Sequence, residues 1–370
     1  MKLTPLYQKH LELGAQMFTT GMGYAMAAYY SNVDEEARNV RENVGMIDVS
    51  LMGRLDVKGK DALSLVQYLI VNNADKLSDG QALYSVMCTE EGLVYDDVIV
   101  LRFDAEHIRV ITSSMFRART LAWIQQHIDE RSANAYVTDI SSSLAMIGVQ
   151  GPKSRDLLSG ITDIDLSKMK FFRFAFGNFG EIPCMIARLG FSGELGYETY
   201  VNTEDAHAAW DLISEAGKPH GVLPYGMDTL DALRWEKGFV FYGFDATDAN
   251  NPYECRLSDF IRYDCGDFLG RDALLKIREQ GPAKKLMGLE VGGDKLAPGE
   301  QALLIGGDRV GSVVAGFRSA NLGRNLGYAW VDGPHFKDGT SVTLEIDGTQ
   351  TAATVVEMPF IDPEGRRMRS

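Results

Sequence analysis

The chain has 370 residues, of which 45% are hydrophobic and 24% are charged, the balance of an ordinary globular protein in water. This length is too great for one simple core and predicts two or three domains. The formal net charge of -14 argues against nucleic acid and anionic membrane surfaces as partners, because both require a basic patch on the protein.

Cysteine and histidine usage narrows the class of protein further. The four cysteines are far apart and form no CxxC pair, so neither a disulfide framework nor a zinc site is predicted, and a reducing cytoplasm is the expected location. The six histidines are equally scattered and give no metal-ligand spacing. The opening stretch MKLTPLYQKHLELGAQM lacks the apolar core of a signal peptide, and no apolar run reaches the length of about 18 residues that a membrane span needs.

In chain order, the first part alternates between helical and strand patterns. A helical pattern over 6–17 precedes a glycine-rich stretch over 19–30. Gly21 and Gly23 in that stretch lack the preceding strand and the third glycine of a dinucleotide-binding loop, so we exclude such a loop. Three further elements are predicted here, a helix over 34–44, a strand over 54–57 and a helix over 61–70.

The stretch 83–102 predicts a β-hairpin that carries two aspartates. Apolar runs at 83–87 and 98–101 flank a turn-prone Thr-Glu-Glu-Gly. Because side chains alternate between the faces of a strand, Asp96 and Asp97 point in opposite directions. The residues alone favour a solvent-facing pair that caps the turn, since charged side chains are mostly exposed. The alternative is an inward carboxylate, which costs several kcal/mol unless it is paired and therefore needs a structural or chemical reason.

The middle of the chain predicts a mixed α/β arrangement. A strand over 107–112 leads to a helix that begins near Ser114. A β-rich segment from Ser143 ends at Gln-Gly-Pro, and the proline opens a helix that runs to Leu158. The four phenylalanines within 171–176 are predicted to be core rather than a ligand platform.

The remaining segments predict one tight turn, one long helix and a β-rich end. The glycine-rich segment 188–198 indicates a turn where the backbones of two strands approach closely. An amphipathic helix begins at Gly226, and Arg234 and Glu236 on it are either surface charges or site residues. Six strand-like segments after Lys285 predict a small β-barrel.

Four of these segments resemble the folate-dependent aminomethyltransferase family, which includes the glycine-cleavage T-protein and related tetrahydrofolate-dependent demethylases. They are VYDDVIV at 94–100, VQGPKS at 149–154, RLGFSGELGYE at 188–198 and LRWEKGF at 233–239, the last followed by YGFD and NPYE. The resemblance implies an α+β, three-domain, T-protein-like folate-binding fold with two mixed α/β domains and a C-terminal small β-barrel. The implied domains are an N-terminal folate-binding α/β domain over 1–140, a second α/β domain over 141–282 and the barrel over 283–370. The first domain can also include a segment that returns to it from later in the chain.

The resemblance also implies a site for tetrahydrofolate, with no metal. Asp97 matches the family's catalytic carboxylate, and Glu194 is expected to hydrogen-bond the aminopyrimidine edge of the pterin as a planar, bidentate acceptor. The other residues expected to contact folate are Tyr84, Ser113, Phe172, Arg188 and Arg234. The residues expected on the side of the one-carbon donor are Met22, Tyr24 and Leu51, and Leu51 stands where the family has a histidine.

Three functions are compatible with this resemblance. The first expectation is a demethylase that moves a methyl or methylene group from a small N-, O- or S-methylated donor to tetrahydrofolate, because Leu51 and LRWEKGF depart from the T-protein pattern. The alternative is the glycine-cleavage T-protein, whose partner is a lipoyl carrier protein that delivers an aminomethyl group. A non-catalytic, folate-binding iron-sulfur assembly factor is the third reading, and the absence of a KGCYxGQE segment argues against it.

Overall fold

A computed structural model describes every residue from Met1 to Ser370. The strands are β1 Lys2–Leu3, β2 Gln16–Thr19, β3 Tyr24–Tyr29, β4 Val44–Asp48, β5 Gly53–Lys58, β6 Gln81–Cys88, β7 Val94–Asp104, β8 His107–Thr112, β9 Tyr136–Asp139, β10 Leu144–Gln150, β11 Phe174–Phe179, β12 Ile182–Ala187, β13 Gly196–Asn202, β14 Val222–Pro224, β15 Lys284–Val291, β16 Ala302–Ile305, β17 Asp308–Ser319, β18 Arg324–Asp332, β19 Ser341–Ile346 and β20 Thr349–Val356.

Nine α-helices accompany these strands. They are α1 Tyr7–Glu12, α2 Val33–Glu42, α3 Ala62–Leu69, α4 Arg117–Arg131, α5 Ser154–Ser159, α6 Ala206–Gly217, α7 Met227–Glu236, α8 Arg271–Gln280 and α9 Arg366–Arg369. Helix α2 shows why they start where they do. The side chain of Asn32 caps it by accepting the amide of Glu35, and three acidic residues in its first turn favour the positive end of the helix dipole. None of the helices is long and apolar enough to cross a membrane.

The strands form three sheets and one barrel. A small sheet has the order β1-β3-β2, a five-stranded sheet has the order β6-β7-β8-β5-β9, and a six-stranded sheet has the order β11-β12-β13-β10-β4-β14. The barrel closes in the order β15-β18-β17-β16-β19-β20. In β19, buried and exposed residues alternate strictly, as expected for a strand with one face on a core. The predicted α+β class and the predicted C-terminal barrel are confirmed.

The sheets interleave along the chain, so they do not follow the predicted domain boundaries in a simple way. Strand β4 precedes the five-stranded sheet in sequence but pairs with β10 and β14 of the six-stranded sheet. In the other direction, residues between Val240 and Phe268 pack against Val86 and Val94 of the five-stranded sheet. The boundaries at 140 and 282 stay predictions.

The space between the two large sheets is where the site residues meet. One face of the six-stranded sheet packs against α5 and α6. Its other face, which carries Met146, Met185 and Tyr200, packs against the face of the five-stranded sheet that carries Ile99 and Leu101. Residues of either sheet that share those faces therefore point toward the opposite sheet.

Three predicted elements differ from the structure. The helix predicted over 6–17 ends at Glu12, because Gly14 adopts a φ of +73° and the chain turns into β2. The glycine-rich stretch after it contains β3, which pairs with β1 and β2. The helix predicted from Ser114 begins at Arg117. In each case a tertiary contact or a backbone turn overrides a local propensity.

Candidate functional site

The aspartate pair lies inside β7 rather than at its entrance. Asp96 has no exposed surface, so the interpretation of a solvent-facing pair is wrong. Its neighbour Asp97 lies on the opposite face of the strand, together with Ile99 and Leu101, and is partly buried beside its cross-strand partner Val86, which packs against the segment 240–268. The hairpin itself is confirmed, with β6 and β7 paired antiparallel.

Asp97 is held by a tyrosine on the neighbouring strand. Tyr84 lies opposite Ile99 in the β6–β7 register, which places Tyr84 and Asp97 diagonally on the same face. The hydroxyl of Tyr84 donates to Oδ2 of Asp97 at 3.0 Å. Burial raises the pKa of Asp97 to about 6, and the hydrogen bond from Tyr84 limits that rise because it favours the charged form. The structure therefore brings together two of the predicted site residues.

Asp96 is satisfied entirely by protein donors. Its Oδ2 accepts hydrogen bonds from the hydroxyls of Thr112 on β8 and Thr120 on α4, and its Oδ1 accepts the amide of Asp97 at 2.9 Å. Burial first, and the neighbouring charge of Asp97 second, raise the pKa of Asp96 to about 7. Nothing in the sequence pattern distinguished these two carboxylates beyond the alternation of faces.

The segment 188–198 is shaped by Gln150 of the Gln-Gly-Pro motif. A β-carbon on Gly190 or Gly196 would lie within about 2 Å of the Gln150 side chain, so only glycine fits at either position. Gln150 also accepts a hydrogen bond from the Ser192 hydroxyl at 2.9 Å. At Gly193, which has a φ of +83°, a β-carbon would meet the side chain of Lys237. The spacing of the three glycines thus follows from the packing of one amide and one lysine.

Glu194 is already engaged by two arginines. Its Oε1 accepts Nη1 of Arg41 at 3.0 Å and Nη1 of Arg367 at 2.8 Å, and the residue is buried. Arg41 is itself a buried hub, because it also donates to the carbonyl of Ser192 and to the carboxylate of Glu236. Glu236, predicted as a surface charge or a site residue, is therefore an internal ion-pair partner.

Glu198 is a site residue that sequence reasoning missed. It lies two residues before Tyr200 on β13, so both side chains face the five-stranded sheet, and its cross-strand partner Ala187 packs there too. Its carboxylate accepts a hydrogen bond from the Tyr200 hydroxyl at 3.1 Å. Burial raises the pKa of Glu198 to about 7. Its neighbour on β10 is Gly148, which leaves the sheet surface beside this carboxylate without a side chain. Because Tyr197 is a core residue and side chains alternate along a strand, the sequence could have predicted that Glu198 faces the other way.

Ser113 and Phe172 lie at the edges of the same space. Ser113 follows Ile111 by two residues, is buried, and its hydroxyl has no hydrogen-bond partner. An unsatisfied buried hydroxyl is unusual and suits a position that receives a polar ligand. Phe172 adopts a φ of +57° and packs against the apolar cluster between the sheets. Phe176, however, is 67% exposed, so the prediction that the four phenylalanines form core is wrong for this ring.

The two predicted arginines are occupied by protein partners. Arg234 is 2% exposed and pairs with Asp231 and Asp245, so the surface-charge interpretation is wrong. The carboxylate of Asp245 in turn accepts the amide of Phe241, which fixes the loop after α7. Arg188 donates to the carbonyl of Met169 at 2.8 Å.

The residues predicted on the donor side fall on the N-terminal sheet and the segment before β5. The hydroxyl of Tyr24 accepts a hydrogen bond from Arg117, at the start of α4, at 3.4 Å. Leu51 is buried, two residues before Gly53, and Gly53 packs against Thr112 and Arg117. Met22 is half-buried on the turn before β3. Tyr24 thus contacts the start of α4, and Gly53, two residues after Leu51, packs against the same helix start.

Comparisons with known proteins agree with this geometry. The family model described as the GCVT N-terminal domain matches residues 6–265, and the model of the glycine cleavage T-protein C-terminal barrel domain matches residues 284–362. A protein from Symbiobacterium thermophilum named aminomethyltransferase is 37% identical over 99% of both chains. A protein of the same name from Thermotoga neapolitana is 34% identical, also over 99% of both chains.

The structural comparison supports the same fold. The crystal structure of glycine cleavage system aminomethyltransferase T from Bartonella henselae superposes with a TM-score of 0.89, covering 97% of this chain and 98% of that one at 23% identity. The predicted family and three-part fold are confirmed. The expectation of a demethylase is wrong, because full-length relatives that are 32–37% identical are named aminomethyltransferases, which supports the alternative. The chain belongs to the glycine cleavage T-protein family and is a folate-dependent transferase, for which tetrahydrofolate is the substrate predicted from sequence.

Proposed function

We propose that this enzyme transfers the one-carbon unit of an aminomethyl group, carried on a lipoyl protein, to tetrahydrofolate. The observation that carries the proposal is the Asp97 carboxylate held by Tyr84 on the face of β7 that also carries Ile99 and Leu101, in a chain whose full-length relatives are named aminomethyltransferases. In the reaction the carbon–sulfur and carbon–nitrogen bonds of the aminomethyl group break, and two carbon–nitrogen bonds to folate form. The two protons released by the folate nitrogens end on the lipoyl thiol and on ammonia.

Asp97 is the residue proposed to manage charge in this reaction. Its pKa of about 6 leaves the carboxylate ionised at neutral pH and close enough to that pH to accept a proton. A fixed negative charge in a dry space between sheets also favours a cationic transition state. Positioned proton transfer contributes roughly 10²–10⁴-fold to the rate, and holding two bound reactants together contributes more.

The residues around Asp97 fit a polar, planar ligand. The unpartnered hydroxyl of Ser113 offers a donor and an acceptor, and Glu198 keeps one carboxylate oxygen without a protein partner. A carboxylate of that kind suits two adjacent N–H groups such as those of an aminopyrimidine. We therefore propose Glu198 as the carboxylate that receives the pterin, with Tyr84, Ser113 and Phe172 beside it. The role of Glu194 as a pterin contact stays a prediction, and variants of both glutamates test it.

The arginines are proposed to act from the wall of the site. Because the guanidinium groups of Arg188 and Arg234 already have carbonyl or carboxylate partners, we propose that they fix the segments that surround folate rather than bind it directly. On the donor side, Met22, Tyr24 and Leu51 are proposed to meet the aminomethyl group. A cytoplasmic location is proposed because all four cysteines are free thiols, as is usual in a reducing compartment.

The test is a turnover assay with defined partners. The enzyme is incubated with tetrahydrofolate and an aminomethylated lipoyl carrier protein, and 5,10-methylenetetrahydrofolate and ammonia are measured. Equal amounts of both products, absent without the carrier, are expected. Wild-type protein that forms neither product, under conditions in which another aminomethyltransferase does, would refute the proposal. Asp97→Asn serves as the matched variant for the chemical step.

A further inference from the structure

The carboxylate of Asp96 accepts three hydrogen bonds beside the site, and the proposed mechanism does not use it. Its three donors come from three different places, namely Thr112 on β8, Thr120 on α4 and the amide of Asp97 on β7 itself. The side chain faces away from the space between the sheets and has no exposed surface. It can therefore touch neither folate nor the aminomethyl group, and it is not a catalytic residue.

A charged residue at this position is otherwise unfavourable. A buried carboxylate loses its hydration, and a second carboxylate on the next residue of the same strand adds repulsion. An asparagine has nearly the same shape, but its one side-chain oxygen can replace only Oδ1, which accepts the amide, and its NH₂ group would lie where Oδ2 accepts the two hydroxyls. The chain thus keeps an acid where both side-chain oxygens act as acceptors.

We infer that Asp96 is a positioning residue for Asp97, whose backbone it fixes through the amide hydrogen bond. This inference rests on the proposed function of Asp97. The amide of Asp97 is locked by Oδ1 of Asp96, and the locked backbone directs the Asp97 side chain to the hydroxyl of Tyr84. The hydrogen bond from Tyr84 favours the ionised form of Asp97, so the positioning by Asp96 affects the pH at which Asp97 ionises.

The other titratable groups around the pair are neutral or already paired. Tyr84 and Cys255 face Asp97 and are neutral thiol or phenol groups whose pKa values burial raises. The negative charge of Asp245 also acts on Asp97, but Arg234 is paired with Asp245. Tyr95 and Tyr242 face Asp96 from β7 and from the loop after α7, and Arg119 of α4 lies against both of these tyrosines. Neither Asp96 nor Asp97 forms an ion pair with a lysine, an arginine or a histidine.

The test measures Asp97 directly, without substrate. Protein labelled with ¹³C at aspartate carboxyl carbons is titrated by NMR, and the Asp97 signal is assigned by its loss in Asp97→Asn. Asp96→Asn keeps an oxygen for the amide of Asp97 and should leave the titration of Asp97 close to its wild-type position. In Asp96→Ala that amide loses its acceptor and the Asp97 side chain is no longer held at the Tyr84 hydroxyl, so the titration of Asp97 is expected to move to higher pH by about one unit. The acidic limb of the kcat profile should move by the same amount, whereas KM for tetrahydrofolate should stay within about twofold.

Two further variants keep the inference falsifiable. Asp56→Asn removes another buried aspartate of the same sheet, one that pairs with Arg109 rather than with Asp97, and should leave the Asp97 titration in place. If Asp96→Ala does not fold, Thr120→Val removes one donor that holds Asp96 and should shift Asp97 in the same direction by less. An Asp97 midpoint that is the same in wild type and in Asp96→Ala or Thr120→Val overturns the inference. A shifted midpoint in a protein with no aminomethyl transfer would instead leave the pairing intact and refute only the proposed function.

Discussion

Replacement by glutamine is expected to have different effects at the two glutamates of the glycine-rich segment, on folate binding at one and on stability at the other. Glu198 keeps one oxygen without a protein partner and lies on the face of β13 that carries Tyr200, whereas the Oε1 of Glu194 accepts hydrogen bonds from Arg41 and Arg367. Glu198→Gln should therefore weaken folate binding. A hydrogen bond to a charged group contributes about 1.5–3 kcal/mol, and tenfold in affinity corresponds to about 1.4 kcal/mol. The expected loss is roughly 10- to 100-fold.

Glu194→Gln should act on stability instead. Glutamine keeps one oxygen for the arginines but loses the charge, so about 1–3 kcal/mol of the unfolding free energy is expected to disappear. Arg41 retains Glu236 as a partner, which limits the loss. The assay is isothermal titration calorimetry with 5-methyltetrahydrofolate, beside urea unfolding of the same preparations. A stable Glu194→Gln protein with much weaker folate affinity, next to an unchanged Glu198→Gln protein, would refute the assignment of Glu198 and restore Glu194 as the pterin contact.

Three further predictions follow from the same contacts. Asp97→Asn should lower kcat by roughly 10²–10⁴-fold and leave the calorimetric affinity for 5-methyltetrahydrofolate within about threefold; unchanged turnover would remove Asp97 from the mechanism. Tyr84→Phe removes a hydrogen bond that lowers the pKa of Asp97, so the carboxylate should protonate at higher pH. The midpoint of the acidic limb of the kcat profile should then move to higher pH than in the wild type; a midpoint at lower pH would contradict this. Arg41→Met leaves Glu194 and Glu236 buried without their shared cation, and should reduce the urea unfolding free energy by about 3–5 kcal/mol; Arg38→Met, an exposed position on the same helix, is the control and should change it by less than about 0.5 kcal/mol.

Alternation along single strands was the part of the site that the sequence could predict. The opposite directions of Asp96 and Asp97 follow from the geometry of any strand, and the structure places only Asp97 on the face of β7 that carries Ile99 and Leu101. The six barrel strands were predictable because short strand-like segments recur after Lys285, and one of them, β19, alternates strictly between buried and exposed residues. Both inferences need only local information.

Contacts between distant segments could not be predicted in this way. Glu194 lies on a turn that looked suited to a ligand, and only the folded chain brings Arg41 and Arg367 to its carboxylate. Arg234 and Glu236 could be either surface charges or site residues, because the helix pattern does not reveal that Asp245 pairs with Arg234 and that Arg41 pairs with Glu236. Glu198 escaped notice since its open carboxylate oxygen depends on Gly148 of another strand. Burial and pairing of charged groups are properties of the tertiary structure.

The position of β4 has a consequence for any attempt to divide the chain into independent pieces. A fragment that stops near residue 140 would contain β4 without β10 and β14, the strands that flank it on both sides. Its backbone N–H and C=O groups would then be exposed along two edges, which makes such a fragment prone to associate with other chains. The complementary fragment would have a gap in the middle of its sheet. The two large sheets are thus expected to fold and unfold as one cooperative unit, and co-expression of the two fragments should yield soluble protein only when they assemble.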